Sequence, residues 1–211
     1  MLDFKKYAFL NTDIIFDIET YPTVFSMVCY DILSDSYSTF EISNRRSDLS
    51  EIMSYLRSIK LNKKRMVGFN NIGFDYVVIH WILQKAIKAK SSGKKFNVTA
   101  NQIYNYAMKV IESKRGGEFG INVKTQDVIL PQLDLFKINH FDNKAKMTSL
   151  KLLEFNMRSS NVSDLPFDVG THLFNEEIDV LLTYNKKDVS ETFEFYKHCL
   201  DSILFREDLT I

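Results

Sequence analysis

Residues 13–20 read Asp13-Ile14-Ile15-Phe16-Asp17-Ile18-Glu19-Thr20, and this run constrains the fold more than any other stretch of the 211-residue chain. Ile14, Ile15 and Phe16 are consecutive, apolar and β-prone, the pattern of a strand covered on both faces. Such a strand belongs inside a sheet flanked by helices. Asp17 and Glu19 then break the apolar run two positions apart, so on a strand their side chains leave the same face. Two like charges side by side in a covered strand are costly unless a cation or strong donors offset them. The pair is therefore either a wet strand end or a platform for a hard divalent cation, which takes carboxylate oxygens.

The remaining pattern supplies partners for that strand. Residues 23–33 and 36–43 predict two further strands joined by a tight hairpin at Ser34-Asp35. Ser47 or Asp48 can cap a helix carrying Leu49, Ile52, Met53, Leu56 and Ile59 at helical spacing. Residues 66–69 predict a short strand and 74–89 an amphipathic helix. Thr99-x-x-Gln102 is a capping-box pattern, opening a helix through Ile103, Ala107 and Val110 that stops at Gly116-Gly117. Residues 127–138 predict a strand, 148–157 a short helix, and Asn175 the cap of a last long helix to Leu204. Gly (7) and Pro (3) are scarce, and no repeat or linker interrupts the pattern, so one α/β domain over 1–211 is expected.

Composition excludes several classes. Only Cys29 and Cys199 are present, with neither a disulfide framework nor a zinc-ligand spacing. The first residues lack a signal-peptide pattern and no apolar run approaches membrane-spanning length, so the chain reads as soluble and cytoplasmic, with no membrane partner. Lys plus Arg and Asp plus Glu both total 27, a formal net charge of zero. That balance hides a split. Residues 85–124 hold Lys85, Lys88, Lys90, Lys94, Lys95, Lys109, Lys114, Arg115 and Lys124 against Glu112 and Glu118. Phe96, Tyr104, Tyr106 and Phe119 are interleaved with them. The segment reads as a basic helical insertion or arm, either a solvated helical face or a guide for a single nucleic-acid strand.

Two more places carry chemistry-bearing residues. Gly68-Phe69-Asn70-Asn71-Ile72-Gly73-Phe74-Asp75 is a turn-rich loop running into an apolar helix, with Asp75 where an acid favours the helix dipole whatever else it does. Tyr184 and Asp188 are four apart on the last helix, hence one turn apart on one face, a pairing also common on solvated helices. Taken in order, Asp17-Ile18-Glu19-Thr20, Asn70 or Asn71 through Phe74-Asp75, and Tyr184-x-x-x-Asp188 resemble the three motifs of the DnaQ-like 3′–5′ exonucleases, in their tyrosine (DEDDy) version, within the ribonuclease H-like superfamily. The words Phe16-Asp17-Ile18-Glu19-Thr20, Gly68-Phe69-Asn70 and Leu133-Asp134-Leu135-Phe136-Lys137 are similar to the proofreading domain of phage family B DNA polymerases. The resemblance runs over residues 12–200 and includes no polymerase domain.

The resemblance implies a ribonuclease H-like fold with a central mixed five-stranded sheet flanked by helices. It also implies two divalent ions, Mg2+ or Mn2+, held by Asp17, Glu19, Asp75 and Asp188, with Tyr184 orienting the attacking water. The implied reaction releases nucleoside 5′-monophosphates from the 3′ end of single-stranded DNA, with a DNA polymerase domain or subunit as partner and, for a phage protein, the host cytoplasm as location. By the same resemblance Thr20, Asn70, Asn71 and Phe74 contact the terminal nucleotides. Thr148-Ser149-Leu150 resembles a single-strand-binding motif, with Ser149 and Leu150 as contacts, or is simply a capped helix. Two alternatives stay open: a 3′–5′ exoribonuclease, and a nuclease-inactive nucleic-acid-binding or polymerase-docking module.

Overall fold

The computed structural model describes residues 2–115, 120–140 and 165–209. Five strands form one sheet in the order β3-β2-β1-β4-β5, with β1 Asp13–Thr20, β2 Val24–Asp31, β3 Ser36–Ser43, β4 Arg65–Gly68 and β5 Gln132–Asp134. The first three form an antiparallel meander, turned at Ser34-Asp35 with Asp35 in the left-handed region at φ 50°. On the other edge of β1, β4 and then β5 add in parallel. The sheet is thus mixed, and β1 is central. The helices are α1 Leu49–Leu61, α2 Asp75–Ser91, α3 Ala100–Arg115, α4 Leu135–His140, α5 Asn175–His198 and α6 Leu200–Asp208.

Strand alternation divides β1 between two cores. Ile14, Phe16 and Ile18 point to the layer of α1, α2 and α3, where Ile52, Leu56, Val78, Ile82, Ile103 and Ala107 bury against them. Ile15 points the other way, with Val189, Phe195, Tyr196 and Ile203 of α5 and α6. The continuous apolar run is explained by this double cover. Asp13 shares the α5 face, where Arg65 holds it through two hydrogen bonds (2.8 and 2.7 Å) and the Tyr196 hydroxyl donates a third at 2.7 Å.

Several local expectations meet a different geometry. Residues 127–138 are extended only over Gln132–Asp134, because β4 has four residues and only Met66, Val67 and Gly68 pair with them. Pro131 has no N–H to extend the ladder, and after Asp134 its carboxylate takes the Phe136 N–H at 3.0 Å as α4 begins. Asp48 precedes α1 without capping it; its carboxylate accepts the Glu41 N–H and the Arg46 Nε instead. The capping box at α3 is formed in both directions, Gln102 N–H to Thr99 Oγ1 at 3.3 Å and Thr99 N–H to Gln102 Oε1 at 3.2 Å. The long last helix starts after Phe174, whose N–H is taken by Glu177 Oε2 at 2.7 Å, and it breaks at Cys199 before α6. The basic segment is helical only in part: Lys85, Lys88 and Lys90 lie on the last turns of α2, Lys94 and Lys95 in the non-helical stretch after it, Lys109, Lys114 and Arg115 on α3, and Lys124 beyond it, while α3 sinks Ile103, Ala107 and Val110 into the protein interior. The expected helix at 148–157, Ser149, Leu150, Phe119 and the Gly116-Gly117 stop lie outside the described residues. The mixed sheet between two helical layers is compatible with the ribonuclease H-like fold.

Candidate metal centre

The acidic centre forms where β1 outruns its parallel neighbour. β4 pairs with Asp13, Ile14 and Ile15 only, so from Phe16 onward that edge of β1 has no strand beside it. The chain leaving β4 turns through the 69–74 loop and starts α2 at Asp75 next to this open edge. Asp75 uses the vacancy: its carboxylate accepts the backbone N–H of Ile18 as well as its own. The side chain is 7% exposed, and burial raises its pKa to about 7.

Asp17 and Glu19 leave the opposite face of the sheet, toward α5. There Asp188 meets them, and one carboxylate oxygen from each of Asp17, Glu19 and Asp188 lies within 4.8 Å of the others. Burial, then the charges of Asp188 and Asp75, pushes Glu19 up to about 8. Asp17 is pushed well up by burial and then by Asp75, Glu19 and Asp188. Tyr184, one turn before Asp188, is hydrogen-bonded to it; burial and the surrounding carboxylates raise its phenol further above its ordinary value. The five residues singled out as catalytic in the sequence thus converge, with Asp75 coming from the α2 side and the other four from the α5 side.

Oxygen donors only, partial burial and unbalanced negative charge are the conditions a hard divalent cation satisfies. The donor set therefore fits a metal centre. Its raised carboxyl pKa values express how poorly these charges coexist without a cation.

One residue was missed in the sequence. Asn185 is fully buried; its Nδ2 donates to Asp17 Oδ2 at 2.5 Å and its Oδ1 accepts from Ser26 Oγ at 3.4 Å. The amide orients the Asp17 carboxylate from behind. A signal existed: Ile178, Leu181, Asn185, Val189, Thr192 and Tyr196 form the buried stripe of α5, and an amide in such a stripe needs partners.

The loop before Asp75 is tightly specified. A Cβ on Gly68 would come 2.8 Å from Asn71 Cβ, and one on Gly73 2.5 Å from Asn70 Oδ1. Asn70 sits in the left-handed region at φ 58°, held by its N–H to Asp134 Oδ1 at 2.9 Å. Asn71 is buried instead; its amide lies 2.9 Å from Gln132 Oε1 and its backbone carbonyl accepts the Tyr76 N–H. Phe74 packs against the larger core, and Thr20 closes β1 opposite Phe25. Lys114, in the last turn of α3, donates to the Gly73 carbonyl. Desolvation and Lys137 lower its pKa, while Asp75 and Asp134 oppose the shift. Asp134, 3% exposed, is a fifth carboxylate behind the loop.

No family model matches the sequence, and no curated protein matches it. Among solved structures, the chain is similar to the family B DNA polymerase of the hyperthermophilic archaeon Pyrobaculum calidifontis, with a TM-score of 0.51 and 19% identity over 89% of this chain. The chain spans about a quarter of that polymerase, 24% of its length. At this identity the likeness defines the fold: an α/β unit of the kind found within a family B polymerase, here carrying a compact acidic centre.

Proposed function

We propose that the protein is a metal-dependent 3′–5′ exonuclease acting on single-stranded DNA, in a proofreading or DNA-processing role of the phage-replication type. The observation that carries this reading is the convergence of Asp17, Glu19 and Asp188 within 4.8 Å, with Asp75 and Tyr184 beside them. Asp17, Glu19 and Asp188 would hold one divalent ion and Asp17 with Asp75 a second, and such ions supply an acidified water and neutralise charge on the leaving oxygen.

The chain's own side chains do the rest. Tyr184 orients the attacking water, and Asn185 holds the Asp17 carboxylate through its Oδ2. Water adds to phosphorus as the P–O3′ bond breaks, so a nucleoside 5′-monophosphate leaves and the shortened strand keeps a 3′-hydroxyl. Thr20, next to Glu19 at the end of β1, Asn70 in the exposed part of the loop, and Phe74, next to Asp75 at the head of α2, would serve as contacts for the terminal nucleotides. Asn71, by contrast, ties the loop to Gln132.

The test is a time course on a 5′-labelled single-stranded oligonucleotide with Mg2+ or Mn2+. A ladder shortening from the 3′ end supports the reading, and an intact substrate overturns it. A matched RNA oligonucleotide degraded faster than the DNA would move the assignment to an exoribonuclease.

A further inference from the structure

Away from the acidic centre, α1 and α2 flank a groove of about 940 Å³, closed by residues 95–97 on one side and floored by Leu83, Ile87, Ile129 and Leu130. Ile87 is 52% exposed there, one turn beyond the buried Leu83. Among the described residues no acidic side chain lines the groove. Four cations do: Arg57 and Lys60 from α1, and Lys90 and Lys95 from the end of α2 and the segment after it. Among the described residues none of the four makes an ion pair. An aliphatic strip with a pair of uncompensated cations from each wall is the electrostatic complement of a helix whose apolar stripe is flanked by acids.

We propose that this groove docks an acidic amphipathic helix of a protein partner. The floor argues against a nucleic acid as occupant. Single strands bind by stacking bases on aromatic rings, and among the described residues Phe96 is the one aromatic side chain lining the groove. Trp81 and Tyr106 stack on each other at 4.7 Å elsewhere on α2 and α3, with Lys85 over Trp81. Aliphatic side chains at i, i+3, i+4 and i+7 of a helix suit such a floor, and acids beside them meet both rows of cations. Ile87 lies twelve residues beyond Asp75 on the same helix, about 18 Å along its axis. A docked helix therefore leaves the acidic centre open, and the proposal stands apart from the nuclease reading.

The experiment pans a display library of random peptides of roughly 16 residues, about 24 Å as a helix, against the full chain, with counter-selection on Ile87→Glu. Enriched peptides should carry Leu, Ile, Met or Phe at helical spacing and Asp or Glu between. By fluorescence anisotropy, a synthetic enriched peptide should bind the wild-type chain, bind Lys60→Glu/Lys90→Glu at least tenfold more weakly, and weaken with added salt. Nuclease time courses of Ile87→Glu should match wild type. No peptide that distinguishes wild type from Ile87→Glu, an enriched set without acids, or displacement of the peptide by an oligo-dT strand would each overturn the proposal.

Discussion

Metal-free protein is expected to lose stability as pH rises from about 5 to about 8, and a divalent cation is expected to reverse the loss. Glu19 titrates at about 8 rather than 4.5 and Asp75 at about 7 rather than 3.8, both because burial and neighbouring carboxylates disfavour the charged form. Folded pKa values above the unfolded ones mean that the folded state keeps protons the unfolded chain has released. The contribution of these groups is therefore most favourable below the unfolded values and declines as pH passes through 7 and 8. At about 1.4 kcal/mol per pH unit, a shift of roughly three units is on the order of 4 kcal/mol for either group taken alone. In a chain of this length that is roughly 10 °C in Tm.

The assay is a series of thermal melts with EDTA across that pH range, repeated with Mg2+ or Mn2+, on wild type and on Glu19→Gln/Asp75→Asn. The difference between the two proteins isolates the centre from every other titrating group. Wild type should melt progressively lower than the variant as pH rises, and the added cation should raise wild type alone. A wild-type Tm that tracks the variant at every pH, or that ignores the cation, refutes the idea that these carboxylates form one charge-strained unit.

Asp17→Ala and Asp188→Ala should each lower nuclease activity by orders of magnitude while the circular dichroism spectrum stays native; Tyr184→Phe should be milder, since it removes orientation and leaves the carboxylates. Asn185→Ala should cost about 10–100-fold in activity or metal affinity, the range for partners behind metal ligands, read as a shift of the rate to higher Mn2+ concentration. Charge reversal at Lys94, which does not line the groove of Arg57, Lys60, Lys90 and Lys95, should weaken single-strand binding and flatten its salt dependence in filter-binding titrations; an unchanged slope would assign it to a solvated face.

What the sequence disclosed and what it concealed divide along a physical line. Period-two and period-3.6 patterns fix which face of an element is buried, and β1, β3, α1 and α3 follow them because local packing decides those elements. The geometry of Asp48, Asn185 and β5 depends on partners outside the element each belongs to. Asp48 satisfies Glu41 and Arg46 in place of its own helix, and Asn185 finds Asp17, 168 residues away. β5 extends only as far as β4 offers hydrogen bonds. Spacing on one strand and one helix is local information and pairs Asp17 with Glu19 and Tyr184 with Asp188, whereas joining these pairs and Asp75 into one set rested on the resemblance of three motifs in order. The route by which Asp75 arrives, across the open edge of β1 to the Ile18 N–H, is tertiary.

The formal charge of zero has the same explanation. Residues 85–124 carry nine cations and two anions, while the rest of the chain carries 18 cations and 25 anions. α3 does not hold its positive charge at a distance, because Ile103, Ala107 and Val110 anchor it in the interior and its last turn places Lys114 against the Gly73 carbonyl, two residues before Asp75. Charges exposed to salt act over about 8–10 Å. A cation delivered this close adds its charge to that of the proposed metal ions where a phosphodiester approaches the four carboxylates, and a helix packed into the fold holds it in place. Lys114→Met should therefore raise KM for a single strand more than it lowers kcat, whereas loss of the Gly73 tether alone would act on kcat through Asp75.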